Sequence, residues 1–123
     1  KIYLDYPANN ANAEELNKHN RRYRRRLVPA RSIYTFEPVP AGLTQEERNR
    51  IIGLEAPVWT ESILMDRLDK KVFPRLISVA EVGWTAVERK NWKSFQHRLK
   101  KHAQILEVLN IGYDRSDFII EAD

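Results

Sequence analysis

Residues 51–61 constrain this chain more than any other stretch. Ile51, Ile52, Gly53, Leu54, Glu55, Ala56, Pro57 and Val58 form a nearly unbroken apolar run that ends on Trp59, Thr60 and Glu61. Such a run is too short and too rich in branched residues for a surface helix, and it predicts a buried strand over 51–58, covered on both sides. In an extended chain residues i and i+2 share a side, so Trp59 and Glu61 are expected to project together. A flat indole beside a carboxylate suits a sugar, which offers apolar C–H groups on one face and hydroxyls around its rim.

The remaining pattern alternates strand and helix signals. Ile2 and Leu4 point one way and Tyr3 and Asp5 the other, which predicts a strand over 1–6 that Pro7 ends. Thr44 followed by Glu47 reads as a capping box opening a short helix at about 45–50. One or two helical turns are expected between 62 and 68. Pro74 fits the first position of a helix over 74–86, with Leu76, Ile77, Ala80 and Trp84 on one apolar face and Trp84 in the core. Arg75 and Glu81 read as structural ion partners or caps. The clearest helix covers 91–110, with Trp92, Phe95, Leu99, Leu106 and Leu109 as its stripe and Gly112 as its stop.

Several spaced motifs share one resemblance. Gly53-x-Glu55-Ala56-x-x-Trp59-Thr60-Glu61, then Phe73-Pro74-Arg75 and Ala80-Glu81-x-x-Trp84, resemble the last strand and last helix of a glycoside hydrolase family 20 barrel, the β-N-acetylhexosaminidase family. Tyr3-Leu4-Asp5 is similar to the end of the preceding strand, and Tyr34-x-Phe36-Glu37-Pro38-x-Pro40 to the loop before the last one. The resemblance implies an α/β fold: a C-terminal fragment of a (β/α)8 barrel, mainly helical with two or three short strands, forming a single unit over 1–123. A complete barrel needs about 200 residues or more.

The resemblance also assigns roles. Tyr3 would donate to the acetamido oxygen of an N-acetylhexosamine-containing glycan, Trp59 would lie under the sugar ring, and Asp5 and Glu61 would hold hydroxyls. In this family the substrate's own acetamido group is the nucleophile, assisted by an adjacent Asp-Glu pair that supplies the general acid. No Asp-Glu or Glu-Asp dipeptide occurs in the 123 residues. A catalytic residue is therefore not expected on this chain, and the chain alone is expected to be inactive. Family members also wall the pocket with a tryptophan in the loop after the first of these strands. Here no tryptophan stands between residues 1 and 58, and Tyr23 is the aromatic in that loop. No cofactor is implied. An exported location (periplasmic, secreted or lysosomal) follows from the resemblance alone.

Composition adds boundaries. With no cysteine there is no disulfide framework or thiolate metal site. His97 and His102 are five apart and do not share a helical face, so no metal site is expected. No apolar run approaches the ~18 residues of a membrane span. The net charge of +4 is one segment's property. Lys18, Arg21, Arg22, Arg24, Arg25, Arg26 and Arg31 contribute seven of 21 positive charges with no acid among them, and elsewhere acids outnumber bases. A polyanion- or nucleic-acid-binding helical module using this 18–31 run is the alternative reading. Charge runs are more often solvated faces, so nucleic acid is not the expected partner. Helix faces left without a barrel to pack on predict self-association or marginal stability.

Overall fold

The computed structural model describes residues 2–9, 27–60 and 63–118. Most of the basic run, the helix expected within it, Glu61 and the last five residues lie outside the described residues. Among the described residues five α-helices follow in order: α1 (Ala30–Tyr34), α2 (Gln45–Asn49), α3 (Leu68–Val72), α4 (Arg75–Trp84) and α5 (Trp92–Val108). Short 3-10 turns occupy Met65–Arg67, Val87–Arg89 and Arg115–Phe118.

The two expected strands are not formed among the described residues. At the first, the chain turns at Leu4 and Asp5, where the Tyr6 amide reaches back toward the Tyr3 carbonyl at 3.4 Å. At the second, 51–59 is irregular rather than helical, and it meets the first segment through a backbone bond from Leu4 N–H to the Pro57 carbonyl at 3.0 Å. One bond does not make a ladder. The side-chain alternation of a strand is nevertheless present. Leu54, Ala56 and Val58 pack on a core of Ile2, Leu4, Val28, Ile33 and Val79, while Gly53, Glu55 and Trp59 are exposed. The run is thus covered on one side, not on both.

A second cluster joins α1 to α5. Tyr34 stacks on Phe95 at 5.1 Å and meets Trp92 edge-on at 5.0 Å, with Leu99 and Ile77 completing the group. Burying side chains such as Phe95 and Leu99 contributes about 1.5–3 kcal/mol each. Helix α1 therefore serves both clusters, Ile33 entering one and Tyr34 the other.

Helix α4 buries a different face from the one its apolar pattern suggests. Arg75, Ser78, Val79 and Val82 are inside, at spacings i, i+3, i+4 and i+7. Trp84 is not a core residue but 89 % exposed, and Leu76 and Ala80 are exposed beside it. The reason is polar. The Arg75 guanidinium reaches the carbonyls of Leu4, Tyr6, Val28 and Lys71, so that face must turn inward. Pro74 stands just before the helix rather than in it, behind a cis Phe73–Pro74 bond.

The local signal fares better at the start of α2. Thr44 Oγ1 accepts from the Glu47 amide at 3.3 Å, and the Glu47 carboxylate accepts from Thr44 N at 2.8 Å, closing the capping box. The bonds donated by the Thr44 amide and then by its hydroxyl hold the Glu47 carboxyl below its ordinary range. Helix α5 starts with the Asn91 side chain accepting from Ser94 N. It ends not at Gly112 but at Asn110, whose φ of 55° is left-handed. Asn110 N–H bonds the Glu107 carbonyl and Ile111 N–H the Leu106 carbonyl, a Schellman closure that leaves Leu109 exposed.

Candidate functional site

The residues singled out in the sequence sit on two segments, and the Leu4–Pro57 bond lays those segments side by side. Leu4 lies in the core and Val58 packs against it. Trp59 is 55 % exposed, so its indole is open to a ligand. Tyr3 is half-buried and meets the Tyr6 ring edge-on at 6.1 Å. Asp5 is buried, and its Oδ1 has no hydrogen-bond partner among the described residues. A buried carboxylate oxygen without a donor is costly, and a ligand hydroxyl would relieve that cost. Glu61 lies outside the described residues.

Behind these side chains stands a support that the sequence did not reveal. Arg75 is 2 % exposed. Its Nη1 donates to Tyr6 O at 2.8 Å and to Val28 O at 3.2 Å, and its Nε donates to Lys71 O at 3.1 Å. Its Nη2 donates to Leu4 O and Lys71 O. Lys71 Nζ adds a 3.3 Å bond to the Asp5 carbonyl. The backbone carrying Tyr3 and Asp5 is thereby clamped to α3 and α4. Burial pulls the Arg75 guanidinium down to about 10, leaving it charged at neutral pH, with Asp117, Asp114 and Asp5 offsetting part of the cost. Read as an ion partner or cap, Arg75 does cap the end of α3 through Lys71 O, but its bonds to the Leu4, Tyr6 and Val28 carbonyls, distant in sequence, were not foreseen. Its place at the start of a helix, right after Phe73-Pro74, was the available signal.

A recess of about 340 Å³ lies elsewhere, between α4 and α5, bordered by Trp84, Phe95 and His102. Its carboxylate, Glu81, is gripped by Arg98 at 2.8 and 2.5 Å and held below the ordinary range chiefly by that bond, so its charge is already paired. Among the described residues no group of three or more His, Cys, Asp or Glu could hold a metal ion, and no helix is long and apolar enough to cross a membrane.

Residues 1–87 match the catalytic domain of glycosyl hydrolase family 20. The chain belongs to that family. The match takes in Tyr3, Asp5, Trp59 and Arg75. Among curated relatives of this family 20 chain, a β-N-acetylhexosaminidase of Cellulomonas fimi is 39 % identical over 93 residues, covering 72 % of the chain and 18 % of the relative. A β-hexosaminidase of Porphyromonas gingivalis is 30 % identical over 87 residues, 70 % of the chain and 11 % of the relative. A solved family 20 β-N-acetylhexosaminidase of Streptomyces coelicolor superposes with a TM-score of 0.70 at 29 % identity, over 99 % of this chain and 24 % of that one. A mutant β-hexosaminidase of Streptomyces plicatus, solved in complex with its product GlcNAc, gives 0.72 at 30 % identity, over 97 % and 23 %. The chain thus corresponds to part of a family 20 catalytic domain and spans a quarter or less of these relatives.

Proposed function

We propose that this chain is the sugar-holding part of a β-N-acetylhexosaminidase, one that releases terminal non-reducing β-linked GlcNAc or GalNAc with retention through the substrate's own acetamido group. Trp59 lies under the sugar ring. Tyr3 donates its hydroxyl to the acetamido oxygen, and Asp5 and Glu61 accept from ring hydroxyls. Holding the acetamido group in attacking geometry lowers the barrier by reducing the entropy lost on reaching the transition state. The leaving group still needs a proton donor. With no adjacent Asp-Glu pair in the sequence, that donor comes from another part of the enzyme.

The observation that carries the reading is the Leu4–Pro57 contact, which lays the Tyr3–Asp5 turn beside the run that ends on an exposed indole. The test is activity at two levels. The full-length enzyme cleaves a chromogenic N-acetylglucosaminide, and the 123-residue chain alone does not exceed the buffer rate. Cleavage by the chain alone would overturn the division of labour, and a full-length protein inert on every β-N-acetylhexosaminide would overturn the activity.

A further inference from the structure

We propose that the outer face of α5 is a docking surface for a linear sulfated glycan, separate from the sugar site and resting on its own charge distribution. From residue 89 to 106 the chain carries Arg89, Lys90, Lys93, Arg98, Lys100 and Lys101, with His97 and His102, and no acid. Helix α5 buries Phe95, Leu99 and Leu106. On a 3.6-residue period Lys93, His97, Lys100 and Lys101 fall on the opposite side, and all four are exposed. Their spacing of i, i+4, i+7 and i+8 lines them up along about 12 Å of helix. Such a line suits a chain with repeating anionic groups.

Tertiary structure adds cations beside both ends of this line. At the start of α5, Lys90 sits over the Tyr34 ring at 5.0 Å and Arg31 lies 5.8 Å from the Trp92 ring. Arg31 and Lys90 are far apart in sequence, so cations from two segments stand near the start of α5. Toward the other end, Lys100, Ala103, Tyr113 and Arg115 border a recess of about 230 Å³. Glu107 is the carboxylate nearby, taken up by the Tyr113 hydroxyl at 2.6 Å and by Arg115 at 3.5 Å.

The ligand class follows from what accompanies the charge. Single-stranded nucleic acid is held by stacking on open aromatic faces as well as by charge. Trp92 and Phe95 are packed against Tyr34, the Tyr113 ring is covered by the Arg115 guanidinium at 5.7 Å, and the open Trp84 indole lies in the recess between α4 and α5 rather than on this face. Lysine ammonium groups act on sulfates as point charges and need no planar fork. Line-up of charge without a stacking platform favours a sulfated polysaccharide over a nucleic acid.

The test is titration calorimetry of the full-length protein with a heparin oligosaccharide at low and physiological salt. Wild type binds, and raising salt weakens binding. The triple variant Arg89→Gln, Lys100→Gln, Lys101→Gln binds about ten-fold or more weakly and depends less on salt. Lys100→Arg with Lys101→Arg keeps wild-type affinity, which shows that charge and not folding was lost. Four results would overturn the proposal: unchanged affinity in the triple variant, equal binding of desulfated heparin, tighter binding of single-stranded RNA of matched charge, or a loss confined to glutamine substitutions at the arginines of residues 21–26.

Discussion

Arg75 Nη1 donates to the carbonyl of Tyr6 at 2.8 Å across 69 positions of sequence, and the same guanidinium also reaches the carbonyls of Leu4 and Val28. A single buried cation therefore satisfies the backbone under the Tyr3–Asp5 turn. Arg75→Met removes the donors and leaves those acceptors buried. Loss of about 3–5 kcal/mol is expected, read as a lower urea midpoint or outright unfolding. Arg75→Lys recovers little of it, since a lysine offers a compact point of charge rather than a planar fork. Wild-type stability in the Met variant would show that the carbonyls find other donors.

Trp59 is assigned a stacking role because its indole is open at the end of the 51–59 run. In the full-length enzyme Trp59→Ala should lower kcat/KM by at least about ten-fold, in line with the loss of one aromatic contact and the positioning it provides. Trp59→Phe should retain more activity than Ala. An unchanged kcat/KM in the alanine variant rejects the role.

Asp117 Oδ1 accepts from Ala30 N–H at 3.2 Å, capping α1 from the other end of the chain. Burial pushes its carboxyl up from 3.8 to about 6, against the pull of the Ala30 amide and Arg75 and with the push of Asp114. A carboxyl raised on folding stabilises the fold fully below pH ~3.8 and loses that contribution as pH rises through about 6. Asp117→Asn keeps an acceptor for Ala30 and does not titrate. Its stability relative to wild type should therefore rise between pH 4 and 7.5, by about 2 kcal/mol. Parallel pH profiles for the two proteins would contradict the assignment.

The Glu81–Arg98 pair ties α4 to α5. The Arg98 side chain is 49 % exposed and that of Glu81 10 %, so solvent screens the attraction. A double-mutant cycle should give a coupling of about 1 kcal/mol. The Arg98 bond holds the Glu81 carboxyl below 4.5. The contribution is present above pH ~4.5 and lost as pH falls through the lowered value. Coupling that persists in acid would rule out a charged contact.

Local features of this fold were legible in the sequence because their partners lie within one turn. The Thr44–Glu47 capping box and the stripe of Phe95, Leu99 and Leu106 are both of this kind. The inward set of Leu54, Ala56 and Val58 was not legible: the near-continuous apolar run predicted cover on both sides, and the structure covers one. Family membership was legible too, since Tyr3, Trp59 and the 73–75 motif stand in a recognisable order.

What the sequence by itself determined is where α2, α4 and α5 coil, that Thr44 caps α2, and which family the chain joins, because periodicity and capping act over a few residues. Only the tertiary structure decided which face of α4 turns inward, that Leu4 meets Pro57 without a full ladder, that Trp84 stays outside, and that Asp117 caps α1. Those outcomes depend on hydrogen bonds between groups tens of positions apart. A buried guanidinium seeking carbonyls outweighs an apolar stripe, and no window of local sequence contains both partners.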